Sequence, residues 1–364
     1  MLAVLDSALA LSARTIGVAH PLLTEGDLVK ERRPPMTAIR TLVRILDAFI
    51  ITANVLWMAF VAYGVYFGPA LIADGALLGV SGEGDLYSDE KYAEKGEFCG
   101  LRLLGRGAWP GDGAIDKFLF VHAVSTLVGT VTLRDVRVVW FLSVMCEFIE
   151  LTFAHMIPNF AECFWDSMFL DIFGTNMLGI ILGYYLNKLL GFGTFDLLGA
   201  TRSADDAPRR KQRASKAACF AIAVLCVFLS CQGHLCAFVF KHAIRSKSKR
   251  WTVWWLHGTT HMALGRPAFE ALYQRVHLRQ RDAPLIAVYL FVAVAVLDWV
   301  WVVRVLGGEW TTQLWTTSAP RNWALWPLGF GAMFLVAYEK VSASAAIAVL
   351  VSVTTFCLVD LYGY

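Results

Sequence analysis

Charge is scarce in this sequence. Aspartate, glutamate, lysine and arginine make up only 17% of its 364 residues, whereas hydrophobic residues make up 57%. A soluble globular chain has about 25% charged and about 45–50% apolar residues. This shortage excludes a soluble enzyme, a disordered chain and a coiled coil. The net charge of +3 is also small, so the chain as a whole is not expected to bind nucleic acid.

Several other features are missing. The eight cysteines form no CxxC pair and no Cys/His finger spacing, so we interpret them as small packing hydrophobes. No internal repeat is visible. We do not expect a cleavable signal peptide, because Asp6 and Arg14 interrupt the apolar start of the chain. Residues 1–41 instead fit an N-terminal amphipathic and basic segment at the membrane surface.

Long apolar runs occupy most of the chain. Since a membrane-spanning helix needs about 20 apolar residues, the fold class is all-α, a polytopic integral membrane bundle of about 8–10 transmembrane or re-entrant helices. The clearest spans are 42–67, 138–157, 168–190, 217–240, 284–306 and 341–360, and the shorter or more polar candidates are 117–132, 251–265 and 323–338.

We interpret residues 42–364 as a single transmembrane catalytic domain, because membrane helices pack as one bundle. Its core motif is 117–196, with a polar loop at 74–113 and a basic linker at 200–216. Basic loops normally stay cytosolic. The basic cluster Lys241–Arg250 lies only one span from the linker, so the orientation stays open.

Gly179 and Gly183 form a GxxxG spacing within an apolar run. This spacing lets two helix backbones approach closely. The same spacing also arises by chance. Two interpretations are therefore open, a helix-packing face and a coincidence.

One region combines many acids with a complete lack of bases. Between residues 138 and 187 there is no lysine or arginine. The same region holds five carboxylates, at Glu147, Glu150, Glu162, Asp166 and Asp171. An acid at the centre of a membrane helix costs roughly 2.5–3.5 kcal/mol even on lenient insertion scales. The compensating charge must therefore be a distant base, protons, a cationic substrate or a metal ion.

The spacing of these acids suggests a metal site. Glu147 and Glu150 are three residues apart and share one helix face. Another face carries oxygen ligands at i, i+3 and i+7, namely Asn159, Glu162 and Asp166. Pro158 separates the two groups, so two helices could meet there. Such hard oxygen ligands suit Ca²⁺ or Mg²⁺, and Mn²⁺ would also fit. Asp171 lies about 140° further round an α-helix than Asp166, and we expect it to face another neighbour.

Structural interpretations of the same residues remain open. Asn159 and Glu162 also fit a capping box that follows a proline. Glu147 and Glu150 could face water at the membrane interface, and His155 fits a packing role. The cluster as a whole favours a site more strongly than any single member does.

The polar string in this region is specific. It reads Glu147-Phe-Ile-Glu150, His155-Met-Ile-Pro158-Asn159-Phe-Ala-Glu162-Cys-Phe-Trp165-Asp166, Leu170-Asp171-Ile and Asn176-Met-Leu-Gly179. It closely resembles the base-exchange phosphatidylserine synthases of eukaryotes, whose hallmark reads approximately E-x-x-E, L-P-N-F-A-E-C-W-W-D, L-D and C-N-G-x-G. Phe164 replaces the first tryptophan and Thr175-Asn176-Met177 replaces C-N-G, which leaves every polar position intact. The resemblance is strong over 117–196 and weaker over 85–116 and 217–273.

The resemblance implies a calcium-dependent exchange of a phospholipid head group for L-serine in the endoplasmic reticulum membrane. The expected partners are a phospholipid donor, phosphatidylethanolamine in preference to phosphatidylcholine, together with L-serine and membrane lipids. A homodimer is a further expectation, and no nucleic acid is involved. The expected cofactor is Ca²⁺, with Mn²⁺ or Mg²⁺ less favoured. Its ligands would be Glu150, Asn159, Glu162 and Asp166.

The resemblance also suggests roles near the metal. His122 aligns with a family histidine and is the candidate general base or proton shuttle, with a purely structural role as the alternative. Ser125 and Thr126 share its helix face and could orient the ring or hydrogen-bond the donor phosphate. If His122 fails as the base, Glu147 and Asp171 are the remaining catalytic candidates.

Substrate binding is assigned to Arg134 and Asn176. Arg134 matches a family position and could hold the serine carboxylate through two parallel hydrogen bonds. A lipid-phosphate or loop role fits Arg134 equally well.

Two other functions compete with base exchange. A phosphatidyltransferase that uses a CDP-activated lipid resembles D-G-x-x-A-R followed by G-x-x-x-D-x-x-x-D, and no such string occurs here. Asp166 and Asp171 are five residues apart instead of four. A cation channel or transporter would also carry intramembrane carboxylates. The long polar string argues against both alternatives.

Overall fold

The computed structural model describes residues 45, 52–56, 59, 117–153, 160, 166–198, 216–243, 247–276, 285–306, 324–338 and 340–362. Their regular structure is helical throughout, which confirms the all-α class. The α-helices are α1 Lys117–Leu133, α2 Val136–Phe153, α3 Met177–Leu189, α4 Lys216–Ala243, α5 Lys247–Val276, α6 Ile286–Leu306, α7 Leu325–Ala337 and α8 Ala343–Tyr362. A π-helical segment, Asp166–Asn176, leads directly into α3.

Eight of the nine predicted spans coincide with these helices. The span predicted at 251–265 is part of the longer helix α5, which includes Pro267. The predicted span 42–67 lies mostly outside the described residues, as do segment 1–41 and the polar loop 74–113. The basic linker also lies outside them, apart from Lys216, which begins α4.

Helix α2 lies at the centre of the bundle. It contacts α1, the π-helical segment, α3, α4, α7 and α8. Fourteen of its eighteen residues are buried, including Glu147 and Glu150. An acid on this helix therefore faces protein on all sides and needs a partner within the bundle.

A two-residue connection joins α1 to α2. Arg134 has φ 51°, a left-handed conformation that is uncommon for any residue except glycine. Its carbonyl accepts a hydrogen bond from the Phe195 amide at 3.0 Å, which fixes this conformation. Asp135 then caps α2 by accepting a hydrogen bond from the Arg137 amide at 3.1 Å. The short connection makes α1 and α2 neighbouring helices of a hairpin.

The predicted glycine face is confirmed as the contact between α3 and α1. A Cβ atom at Gly183 would lie 2.6 Å from Cβ of Thr130 and 2.8 Å from the Leu127 carbonyl oxygen. A Cβ atom at Gly179 would overlap the backbone of Ala123. Only glycine allows the two backbones to approach this closely.

Apolar side chains also cover the outside of the bundle. Exposed residues along α6 include Ile286, Tyr289, Val292, Val296 and Val300, spaced three or four apart. Two helices, 166–189 and 217–239, are long and apolar enough to cross a membrane, and four shorter apolar helices accompany them. An outer surface of this kind fits contact with lipid.

Candidate functional site

A layer of hydrogen bonds fixes the relative heights of α1, α2 and the π-helical segment. The Asn176 amide nitrogen donates to Ser143 Oγ on α2 at 2.9 Å. The Asn176 side-chain oxygen accepts from Thr126 Oγ1 on α1 at 2.7 Å. Thr126 lies eight residues before Arg134, and Ser143 lies eight residues after Asp135. Because both bond the same Asn176 side chain, residues equally far from the connection lie side by side, and the hairpin is antiparallel. Asn176 therefore bridges both helices, while its predicted contact with substrate stays a prediction.

His122 and Asp171 form the next layer. His122 lies one α-helical turn from Thr126, and its Nδ1 is 3.9 Å from Oδ1 of Asp171. Both side chains are largely buried. The Ser125 hydroxyl donates to the His122 carbonyl at 3.1 Å, and the Thr126 hydroxyl, whose single proton is shared with Asn176, lies 2.7 Å from the same carbonyl. These hydroxyls therefore bind the backbone of α1, and their effect on the His122 ring or on a donor phosphate stays a prediction.

The π-helical segment changes the predicted direction of Asp171. In a π-helix each amide bonds the carbonyl five residues earlier, so residues five apart lie about one turn above each other. Asp166, Asp171 and Asn176 are spaced by five and follow one line along this segment. The expected angle of about 140° between Asp166 and Asp171 assumed an α-helix and is smaller in a π-helix, while the expectation that the two acids face different neighbours stays a prediction. Asp171 and Asn176 both face α1 as a result.

Glu147 and Glu150 are buried on α2, which rules out the alternative that they face water. Glu147 lies twelve residues after Asp135, and His122 lies twelve residues before Arg134. The two residues are therefore at the same height on the antiparallel helices α2 and α1. Glu150 Oε1 lies 3.0 Å from Nε2 of His234 on α4. The His234 ring stacks on Phe160, with 5.8 Å between ring centroids.

Of the remaining predicted ligands, the structure describes Asp166. Asn159 and Glu162 lie outside the described residues, as does His155. Phe160 belongs to the same polar string and contacts His234, the partner of Glu150. Asp166 is half-buried at the start of the π-helical segment. The contact through Phe160 links this string to the partner of Glu150, and the convergence of the predicted ligands on one ion stays a prediction.

Arg134 belongs to a different part of the molecule. It is twelve residues from His122, which corresponds to about 18 Å along a helix. Its guanidinium donates to Glu270 Oε2 at 3.1 Å and lies 4.4 Å from the Phe192 ring centroid and 4.8 Å from that of Phe195. These contacts favour the loop role among the three predicted for Arg134, and its binding of serine stays a prediction.

Two polar ends of the bundle can now be defined. The histidine end consists of His122, Glu147, Glu150, Asp171 and His234. The arginine end consists of Arg134, Asp135, Arg137, Asp196 and Glu270. Arg137 donates to Asp135 at 2.9 Å and to Asp196 at 2.8 Å, and these contacts connect the end of α3 to the start of α2.

His234 is a residue that the sequence interpretation missed. It lies within the apolar run 217–240, which was read only as a membrane span. The signal was present, because an ionisable residue inside such a run marks a candidate site. His234 adds a second imidazole ring beside the buried glutamates.

The histidine end can hold a cation and move a proton. Its carboxylates are hard oxygen donors of the kind that Ca²⁺ prefers. Imidazole accepts or releases protons near neutral pH, and the carboxylate of Asp171 lies close enough to stabilise a charged His122 ring.

These features define a polytopic α-helical membrane protein with a buried site of acids and histidines. The family model described as phosphatidyl serine synthase matches residues 111–306, more than half of the chain. The chain belongs to this family.

Individual relatives match over shorter stretches. Phosphatidylserine synthase of Drosophila melanogaster is 38% identical over 78 residues, 21% of this chain and 16% of that protein. Phosphatidylserine synthase 2 of Mus musculus is 34% identical over 85 residues, 23% and 18% of the two chains. CDP-diacylglycerol–serine O-phosphatidyltransferase 1 of Arabidopsis thaliana is 36% identical over 91 residues, 25% and 21%. The matching stretch spans only about a fifth of the length of these relatives.

Proposed function

We propose that the protein makes phosphatidylserine by exchanging the head group of phosphatidylethanolamine or phosphatidylcholine for L-serine. The observation that carries this proposal is the pairing of His122 with Asp171 beside the buried glutamates of α2, in a chain of the phosphatidyl serine synthase family. One phosphodiester forms as another breaks, so the reaction is nearly balanced and needs no energy carrier.

The residues present fit a bound Ca²⁺. Glu150 and Asp166 supply oxygen donors from α2 and the π-helical segment, and Asn159 and Glu162 would complete the set. When bound, the ion polarises the phosphoryl oxygen of the donor lipid as a Lewis acid. The carboxylates also offset the cost of bringing a divalent cation into an apolar bundle.

In this proposal His122 accepts the proton of the serine hydroxyl as that oxygen attacks the phosphorus atom. The leaving ethanolamine or choline oxygen then takes up a proton, which a protonated His122 can return. Asp171 stabilises the imidazolium between these two steps. Asn176 holds α1 and α2 at the heights that keep His122 beside Asp171, and so acts as a positioning residue.

The reaction is proposed to take place in the endoplasmic reticulum membrane. The family resemblance supports this location, and the apolar exterior of the bundle supports a multi-pass position in a bilayer. Separation of cell membranes followed by detection of a tagged chain would test the compartment.

The decisive experiment supplies each donor lipid in turn to the purified full-length protein in vesicles. The vesicles contain phosphatidylethanolamine, phosphatidylcholine or CDP-diacylglycerol, with labelled serine and either Ca²⁺ or a chelator. Base exchange predicts that free ethanolamine or choline appears one-for-one with phosphatidylserine, in the presence of Ca²⁺ only.

Use of CDP-diacylglycerol is the second candidate, because the printed name of the Arabidopsis relative refers to that donor. Formation of phosphatidylserine and CMP only from CDP-diacylglycerol would replace base exchange with this reaction. Ion flux across the vesicles without lipid turnover would instead support the channel alternative.

A further inference from the structure

A second cluster of ionisable groups lies outside the histidine end. His257 and His261 are four residues apart on α5 and therefore share one helix face. Asp298 on the neighbouring helix α6 faces both of them. The side chains of His257 and Asp298 are completely buried, and that of His261 is 5% exposed.

The ligand atoms of this triad converge on one point. Nε2 of His257 lies 2.8 Å from Oδ2 of Asp298, and Nδ1 of His261 lies 3.9 Å from the same oxygen. One ligand atom from each residue lies within 4.8 Å of the other two. Around a tetrahedral ion with bonds of about 2.0–2.1 Å, neighbouring ligand atoms are roughly 3.3 Å apart. Small side-chain rotations would therefore bring all three atoms to bonding distance.

The completely buried carboxylate of Asp298 would be stabilised by a bound cation. A buried carboxylate is costly unless it is paired and its oxygens are satisfied. Its ion-pair partners among the described residues are His257 and His261, and Oδ1 has no hydrogen-bond partner there. A hydrogen bond from His257 accounts for Oδ2, and ring packing against His257 and Phe291 accounts for the position of His261. Oδ1 is therefore the atom that leaves the charge of Asp298 unsatisfied.

We propose that His257, His261 and Asp298 bind a divalent transition-metal ion, with Zn²⁺ as the best fit. Imidazole nitrogen suits Zn²⁺ and related ions, whereas Ca²⁺ prefers an all-oxygen shell. The site thus differs in chemistry from the carboxylates of the histidine end. On binding, the proton shared by His257 and Asp298 leaves to solvent and the metal takes its place.

Helix α4 connects this triad to the histidine end. A Cβ atom at Gly233 would lie 2.5 Å from Cδ2 and 2.7 Å from Nε2 of His261, so only glycine leaves room for that ring. The next residue, His234, contacts Glu150 on α2. The metal would hold α5 and α6 together against the same turn of α4 that presents His234.

The test measures metal binding and needs no activity, so it is independent of the proposed function. The full-length protein, purified in detergent, is stripped with a chelator and dialysed against Zn²⁺ or Co²⁺ alone. Mass spectrometry of the metal gives the amount bound per chain, and visible absorption of Co²⁺ reports its coordination. We expect one tightly held ion per chain, in a tetrahedral site that excess Ca²⁺ does not displace.

Four variants assign the ion to the triad. His261→Gln and Asp298→Asn should each lower Zn²⁺ affinity by at least 10–100-fold, roughly the loss seen when even outer-shell partners of a metal are removed. Gly233→Ala keeps all three ligands and should weaken binding by displacing the His261 ring. Glu150→Gln is the matched control and should bind Zn²⁺ as the wild type does.

Three results would overturn the proposal. The first is a wild-type protein that holds no Zn²⁺ and gives no tetrahedral Co²⁺ spectrum. The second is full retention of the ion by folded triad variants. The third is displacement of the ion by Ca²⁺, which would assign it to the carboxylates of the histidine end. The wild-type Co²⁺ spectrum can contradict the proposal without any variant. The test therefore remains decisive even if a variant does not fold.

Discussion

The two polar ends of the bundle pair their acids with different bases. At the arginine end, Asp135, Asp196 and Glu270 are paired with Arg134 or Arg137. At the histidine end, Glu150 and Asp171 are paired with His234 and His122. Arginine keeps its charge at any physiological pH, whereas histidine gains or loses a proton near neutrality. The arginine end is therefore a permanent ion-pair network, whereas the proposed cation binding and proton transfer belong to the histidine end.

The largest expected effect comes from removing the proposed base. His122→Ala should lower turnover by roughly 10²–10⁴-fold, the usual contribution of a positioned general base. Calcium affinity should stay nearly unchanged, because histidine is a poor ligand for a hard ion. Turnover at saturating Ca²⁺, measured with labelled serine, checks the first expectation.

The pH dependence gives a second readout for His122. A protonated ring cannot accept the serine proton, so wild-type activity should fall on the low-pH side of its optimum. This low-pH limb should disappear in His122→Ala. Ser125→Ala is the control, because Ser125 only donates to the His122 carbonyl. Loss of calcium binding in His122→Ala would show that His122 is a ligand or packing residue.

At the arginine end the expected effect is on stability. Arg134→Ala removes a charged hydrogen bond to Glu270 and contacts with two phenylalanine rings. The free energy of unfolding should fall by roughly 2–5 kcal/mol, because both a hydrogen bond between charged groups and two cation–π contacts are lost. Denaturant titration in detergent measures this change. A stable variant that has lost serine affinity would instead place Arg134 in substrate binding.

Substitutions at the histidine end should change the Ca²⁺ concentration that activity requires, whereas substitutions at the arginine end should not. Glu150→Gln should raise the Ca²⁺ concentration needed for half-maximal activity by at least about 10-fold, because losing even a supporting group near a metal costs 10–100-fold. Asp166→Asn should behave in the same way. Glu270→Gln is the matched control and should change stability without changing the calcium requirement. Equal calcium curves for wild type, Glu150→Gln and Asp166→Asn would remove these residues from the metal site.

The smallest effect concerns the glycine face that positions α1. Gly183→Ala introduces a methyl group against Thr130 and the Leu127 carbonyl, and overpacking of this kind costs typically about 1–3 kcal/mol. Gly331→Ala on α7 is the control, because an added Cβ there meets no atom within 4 Å. Thermal unfolding in detergent should show a lower midpoint only for Gly183→Ala. Equal midpoints would mean that α3 can move away from α1 at little cost.

Much of the fold could be predicted because hydropathy directly reflects the bilayer. Long apolar runs located five of the described α-helices, shorter or more polar runs located three more, and the glycine spacing identified the contact between α3 and α1. The site was partly predictable for a related reason, since acids without nearby bases stand out in an apolar chain. Burial of Glu147, Glu150 and Asp171 follows that expectation.

Histidine partners from distant helices were harder to find. His234 and the pair His257 and His261 lie in helices whose sequence signal was length and hydropathy. Which acid each histidine meets depends on how α4, α5 and α6 pack against α2 and against each other. A spacing rule works along one helix, and no such rule covers contacts between residues more than 40 positions apart.

The sequence by itself determined that this protein is a helical membrane bundle, that its acids cluster around residues 147–171, and that its polar string matches the phosphatidyl serine synthase family. Only the tertiary structure decided which charges meet. The π-helical segment turned Asp171 toward His122, and the antiparallel hairpin placed Arg134 at the opposite end of α1. The physical reason is that hydrophobic burial depends on composition along the chain, whereas pairing of buried charges depends on backbone conformation and helix packing within a few ångströms.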